Sequence, residues 1–343
     1  MKEKKTEKKQ TKKRTQTQKD KRKEKGLLTG WFTFEKTPHK WLFAFEGLMI
    51  LYLAATLVYI LLFYNTLPNA QSMIWGRMRI IAITVALWGV YRMLPCHFIF
   101  VVRVAVQMAL LGWWYPDTYE MNRILPNLDH VFASLEQSIF GCQPALLFSQ
   151  HLHSTVFSEL MCLGYSCYYP MIGVVAAYYA LYRKEELERM ATILMGVFFL
   201  HYIIFIFVPV TGPQFYFCAV GEDKIAAGIL PNLHHYFLTH QECLPIPGYQ
   251  DGFFYQLVQT AHQTGERPTA AFPSSHVSVC VTLLLLAWHS RSRNLFYFLI
   301  PFAVLLFFST VYIRAHYAVD AICGVASGVG CYAFLCYLTK RMT

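Results

Sequence analysis

The sequence predicts an all-α integral membrane protein, a polytopic bundle of about eight transmembrane helices. Three observations predict it. Of the 343 residues, 55% are hydrophobic and 15% charged, where soluble domains carry roughly 25% charged residues. Uncharged runs recur at about the ~20 helical residues that cross a ~30 Å hydrocarbon layer. The basic clusters between those runs fall on one side when the runs are threaded through a bilayer.

The net charge of +10 is concentrated in one arm, because residues 1–25 hold 13 of the 30 basic and only 4 of the 20 acidic residues. Residues 1–26 are read as a disordered, polybasic cytoplasmic tail, suited to anionic lipid at the membrane surface. The charged stretch is long and no small-residue cleavage site follows an apolar core, so a secretory leader is not expected. The rest of the chain is near neutral, which argues against a nucleic-acid partner, whose footprint is a basic face on a folded unit.

The first span is residues 47–64. The apolar stretch 80–114 is too long for one crossing and carries Arg92, Pro95, His97 and Arg103. Proline and the residue before it disfavour continued helix, so two helices meeting near Pro95 are expected. Further spans are 160–182, 190–210, 274–290, 294–313 and 321–338. With the tail inside, eight crossings also place Arg183, Lys184 and Arg189, then Arg291 and Arg293, then Lys340 and Arg341 inside. Arg77 and Arg79 lie outside, against the usual bias. The division expected is a tail, N-terminal transmembrane helices at 41–114, and a core at 115–338 with long outer loops at 115–155 and 211–273. Loops of that length are usually functional or disordered, and 127–148 reads as an interfacial helix.

Ten cysteines are scattered singly. Cys218 and Cys243 share a polar loop, and spacing leaves open whether they stay thiols or pair. The cluster His234, His235 and His240 lacks an acidic or thiolate partner at metal-binding spacing, so no metal site is assigned.

Two segments carry chemistry. In Ala271-Phe272-Pro273-Ser274-Ser275-His276, Ser274 or Ser275 is a helix N-cap and His276 lies in the first turn. Free amides and the positive helix end there suit an anion. In Arg314-Ala315-His316-Tyr317-Ala318-Val319-Asp320, His316 and Asp320 are four apart. On a helix they would share a face, with the carboxylate holding one imidazole nitrogen and freeing the other. One helical hairpin joins the segments and returns both histidines, Asp320, Arg314 and Arg267 to one end of the bundle. Ionisable groups gathered at one membrane level read as functional. A His-Asp pair supplies a nucleophile, a second histidine an acid, and arginine with helix-end amides holds phosphoryl oxygens. Singly, His276 could be an interfacial cap and His316 with Asp320 a structural ion pair; jointly they imply phosphoryl transfer at the non-cytoplasmic face.

Phe272-Pro273-Ser274-Ser275-His276, followed by His316 and Asp320 in the His-x-x-x-Asp spacing, resembles the second and third motifs of the type 2 phosphatidic acid phosphatase superfamily. The resemblance implies a phosphatidic-acid-phosphatase-like helical core. It also implies that His316 is the nucleophile of a phosphohistidine intermediate, Asp320 its orienter and His276 the leaving-group acid, with no metal or other cofactor. Ser274, Ser275, Arg314 and Arg267 are the candidate phosphate-binding residues. Ser309-Thr310 stands where the third motif has Ser-Arg, and Arg267-Pro268 matches only the end of the first motif. The run Ser309-Thr310-Val311-Tyr312-Ile313, with His316-Tyr317 and Val319-Asp320, looks like the inositol phosphorylceramide synthase branch. Phe140-Gly141 with Gln143-Pro144, and Pro209 with Thr211-Gly212-Pro213, resemble it more loosely, and Ser275 replaces its usual Leu. That branch implies transfer of a phosphorylated headgroup from a phospholipid to a lipid acceptor such as ceramide. The alternatives are a lipid phosphate phosphatase, or a transporter lined by Arg92, Arg103 and histidines.

Overall fold

The computed structural model describes residues 30–342, so the tail assigned to 1–26 lies outside the described residues. Among the described residues the regular structure is all helical, apart from one isolated bridge between Phe34 and Cys96. Helices α1 (Ala44–Leu62), α2 (Ala70–Met93) and α3 (His97–Asn122) form the N-terminal group. The break between α2 and α3 falls at Leu94–Cys96 around Pro95, where the proline requires it. The helix α3 runs on to Asn122, so the helix takes up the first residues of the loop expected at 115–155.

Helices α4 (Asp129–Phe140) and α5 (Pro144–His151) replace the single interfacial helix expected over 127–148. Gly141 stops α4 in the left-handed conformation at φ 69°, and Pro144 opens α5 at its first turn. The span expected at 160–182 is a bent pair, α6 (Thr155–Ser166) and α7 (Tyr168–Tyr182), turning 43° at Cys167. Helix α8 (Leu187–Phe207) follows, then α9 (Pro213–Val220), α10 (Glu222–Ala226) and α11 (Phe253–Gly265), which structure the second long loop. The chain ends with α12 (Ser275–His289), α13 (Arg293–Tyr312) and α14 (Ala318–Leu338).

Among the described residues six helices are long and apolar enough to cross a membrane (α1, α2, α3, α8, α13 and α14), and the bent pair makes seven. Helix α12 is equally apolar in 15 residues. At 1.5 Å per residue it is roughly 22 Å long, less than the hydrocarbon thickness. The eight expected runs therefore all fold as helix, while only six or seven have the length of a crossing. The central helix is α8: 78% of its apolar window is buried, against 28–44% for the other five long spans. It packs on α1, α3, α12 and α14.

The N-terminal helices are joined through charge. Glu46 accepts from the Phe43 N–H at 2.9 Å, capping α1, and the same buried carboxylate pairs with the buried Arg103 of α3. The guanidinium lies 4.4 Å from the Phe43 ring centroid and 5.0 Å from that of Tyr91. Arg77 of α2 pairs with Asp117 of α3 at 2.8 Å, both buried. That pairing supplies the reason an arginine is tolerated there. A transporter would need these charges lining a path; Arg77 and Arg103 are instead neutralised between helices, and Arg92 is exposed at the end of α2.

The pairing of α12 with α14 positions the C-terminal segments. A Cβ at Gly324 would come within 2.7 Å of the Ser274 carbonyl oxygen, and one at Gly328 within 2.7 Å of that of Ser278. Backbone thus rests on backbone, as small residues permit in membrane helix pairs.

Candidate functional site

The site is built where the loop before α12 meets the turn between α13 and α14. Ser274 is the N-cap of α12: its hydroxyl accepts from the Val277 N–H at 3.4 Å, and its own N–H donates to the Asp320 carbonyl at 3.0 Å. The cap therefore ties the first turn of α12 to the first turn of α14. Ser275 and His276 follow in that turn and face a cavity.

His316 is not on a helix. It sits two residues before α14, in a turn held by its N–H donating to the Thr310 carbonyl at 3.0 Å. Its Nδ1 lies 2.8 Å from the Ala271 carbonyl oxygen and 3.8 Å from Asp320 Oδ2. A carbonyl only accepts, so Nδ1 carries the proton and Nε2 keeps its lone pair. The shared helix face expected for His316 and Asp320 does not form, because Oδ2 is engaged by the Tyr317 N–H at 2.9 Å in the capping of α14. The imidazole is oriented by a backbone carbonyl, with the buried carboxylate just beyond hydrogen-bond reach.

His316 Nε2 lies 3.3 Å from His276 Nδ1, with ring centroids 5.5 Å apart. Tyr165 and Tyr168 flank His276 at centroid distances of 4.9 and 4.5 Å. Burial holds the His316 imidazole down at about 4, against the opposing hydrogen bond to Ala271. The ring is therefore neutral at pH 7.

The two candidate arginines are placed differently. Arg314 adopts φ 66° and is buried, and its guanidinium pairs with Glu222 of α10 at 3.1 Å. Its carbonyl accepts from the Gln214 N–H at 2.9 Å, fastening the His316 turn to α9. Arg267 is half-buried and donates to the Glu266 carbonyl at 3.0 Å.

Several supports escaped the sequence reading. Asp129, fully buried at the start of α4, accepts from the Thr211 N–H (2.7 Å), the Thr211 hydroxyl (2.9 Å), the Gly212 N–H (2.9 Å), the Tyr317 hydroxyl (3.0 Å) and the Asn127 amide (2.6 Å). One carboxylate thus joins α4, the Thr211-Gly212 turn and the residue after His316. At Gly212, φ is 92° and a Cβ would meet the Ala315 carbonyl oxygen at 2.6 Å, so only glycine fits. Glu136, two turns further along α4, accepts from the Ala318 N–H at 2.5 Å, and burial pushes its carboxyl up to about 8. The seven-residue spacing of Asp129 and Glu136, one helical face, was the available signal. Cys218 and Cys243 are free thiols. Among the described residues no group of three or more His, Cys, Asp and Glu is arranged to hold a metal ion.

Beside His276 opens a cavity of about 660 Å³ between α3, α7, α8 and α11. Its walls are largely apolar, with Val104, Met108, Ile172 and Phe198 among them, and its polar residues Ser275, His276 and Glu266 come from α12 and the end of α11. Apolar length joined to a few polar groups is the usual form of a site for an amphipathic ligand.

No curated protein and no solved structure shows a significant match to the chain. A family model described as the PAP2 superfamily matches residues 130–334, which span α4 to α14 and include both histidines. On that match, over more than half its length, the chain belongs to the PAP2 superfamily.

Proposed function

We propose that this membrane protein is a lipid phosphotransferase that moves a phosphorylated headgroup from a glycerophospholipid to a lipid hydroxyl, in the manner of inositol phosphorylceramide synthases. The observation that carries the reading is the His316 Nε2 to His276 Nδ1 contact of 3.3 Å, made while Ala271 fixes the proton on His316 Nδ1. A nucleophile's lone pair and a proton donor then address one point in space.

In the first step His276 takes up a proton as the anionic phosphate enters beside it, His316 Nε2 attacks phosphorus, the bond from phosphorus to the diacylglycerol oxygen breaks, and His276 gives that proton to the departing oxygen. The donor phosphate enters between the two rings and replaces their mutual hydrogen bond. In the second step the acceptor hydroxyl attacks the phosphohistidine, its proton passes to His276, and the bond from phosphorus to Nε2 breaks. Asp320, buried 3.8 Å from Nδ1, favours the positive charge that His316 gains as it is phosphorylated. The Ser274-Ser275 end of α12 and Arg267 are the phosphate-binding groups. Arg314 acts there only if it leaves Glu222.

An apolar cavity beside His276 favours a lipid acceptor over water, since excluding water protects a reactive intermediate. The basic turns at Arg183, Arg291 and Arg341 lie at the helix ends opposite the histidines. This supports cytoplasmic termini and a site on the non-cytoplasmic face.

The test is product analysis. Purified protein in vesicles receives a headgroup-labelled phospholipid with and without ceramide. Labelled phosphorylceramide and diacylglycerol are expected only with the acceptor. Release of the phosphorylated headgroup from that donor, or of inorganic phosphate from phosphatidic acid supplied in its place, at the same rate with or without ceramide would establish a hydrolase instead.

A further inference from the structure

A second histidine–carboxylate couple, with its carboxylate on the cavity wall and its histidine buried behind, is unused by the steps above. Glu266, directly after α11, lines the cavity together with His276, Ser275 and Tyr115. Its Oε2 accepts from the Tyr115 hydroxyl at 3.1 Å. Its Oε1 lies 3.8 Å from Nε2 of His262, one turn earlier on α11. The His262 side chain is only 6% exposed, and its Nε2 has no hydrogen-bond partner among the described residues. The ring of Tyr165 stands between the two histidine sites, its centroid 5.9 Å from that of His262 and 4.9 Å from that of His276.

A buried ring nitrogen and a carboxylate oxygen 3.8 Å apart are too far for a hydrogen bond to each other. The carboxylate therefore keeps acceptor capacity for a donor in the cavity. A hydroxyl or amide N–H supplies one; a hydrocarbon does not, and a phosphate offers the carboxylate only repulsion. Glu266 lies on the wall of the apolar cavity, and His262 is buried behind it, across one tyrosine ring from the reacting histidine.

The geometry points to Glu266 and Tyr115 as an acceptor subsite, with the buried His262 behind Glu266 as a positioning residue. It binds a long-chain lipid that carries a second hydroxyl or amide group beside the hydroxyl that reacts. The chain lies along the apolar wall toward Met108 and Ile172, the second polar group donates to Glu266, and the reacting hydroxyl is left at His276. The subsite selects the acceptor and takes no part in proton transfer. The inference deepens the transferase reading and rests on it for its test by turnover.

Two measurements on the full chain in detergent micelles separate the failure of each. The first is direct binding of a fluorescent ceramide without donor, which does not depend on turnover. Glu266→Gln is expected to weaken it about tenfold, the order of one lost hydrogen bond to a charged group. It should not change binding of a fluorescent fatty alcohol of equal chain length by more than about twofold. The second is transfer from labelled phospholipid, where Glu266→Gln is expected to raise the KM for ceramide about tenfold and leave kcat within about twofold. Melting temperature in detergent certifies that the variant is folded.

Equal ceramide binding by wild type and Glu266→Gln overturns the subsite, as does an equal loss for ceramide and fatty alcohol. A variant that raises the KM for the phospholipid donor instead assigns the couple to the donor headgroup and also overturns it. Wild-type protein that binds ceramide through Glu266 but transfers nothing to it retains the subsite and refutes the transferase reading alone.

Discussion

His316 and His276 meet nitrogen to nitrogen at 3.3 Å, although 40 residues and a full helical hairpin separate them in the chain. The contact exists because three backbone attachments converge on it: Ala271 to the His316 ring, Ser274 to Asp320, and Thr310 to the His316 amide.

The two rings should differ in what restores them. His316→Asn is expected to lower turnover at least ~10³-fold on any donor, because the nucleophile is gone. His276→Gln should cost roughly 10²- to 10⁴-fold on a phospholipid. It should cost far less on a donor with a nitrophenol leaving group, which departs without a proton. Initial rates on both donors check this.

The acidity of His316 sets the low-pH behaviour. Burial holds its imidazole at about 4, so the neutral, attacking form persists as pH falls below the usual histidine range. The acid limb of kcat/KM that reports His316 should lie near pH 4 and not near 6.5. A profile from pH 3.5 to 8, with folding monitored in parallel, decides.

Glu136 works in the opposite sense, on stability. Its carboxyl is pushed from the usual 4.5 up to about 8, so the folded state holds a proton that the unfolded state releases. Its contribution is therefore fully present below about pH 4.5 and is lost as pH rises through about 8. Glu136→Gln, which keeps an acceptor for the Ala318 N–H, should flatten the decline of melting temperature between pH 5 and 8.

Asp129→Asn exchanges one acceptor oxygen for a donor that faces other donors. Loss of two or more of its five hydrogen bonds should cost on the order of 2–4 kcal/mol. Activity should fall as well, because the Thr211-Gly212 turn and Tyr317 lose their common anchor. Thermal unfolding and transfer rate measured on the same sample test both.

Gly328→Ala inserts a methyl 2.7 Å from the Ser278 carbonyl oxygen. A cost of about 1–3 kcal/mol is expected from overpacking, together with reduced turnover, since α12 carries His276. Gly330→Ala meets nothing within 4 Å and should leave both unchanged.

Much of this architecture is legible in the sequence because its physics is coarse. Apolar runs mark the helices, Pro95 marks a break, and a hairpin of two apolar runs brings His276 and His316 to one end. What the sequence hides is carried by groups without residue identity. The Ala271 carbonyl that fixes the His316 tautomer is backbone, 45 residues away. The 43° bend at Cys167, by contrast, is announced: Pro170 follows three residues later and has no N–H to give the Ser166 carbonyl. Arg314 matches the expected phosphate ligand by residue type, yet the acid that engages it, Glu222, lies in a distant loop.

The Arg103–Glu46 pair has a consequence for how the protein is made. Each partner alone in lipid would carry an uncompensated charge costing several kcal/mol, and the two reside on helices separated by all of α2. Helix α1 therefore gains its full stability only once α3 has joined it, so the three N-terminal helices are expected to settle as one unit.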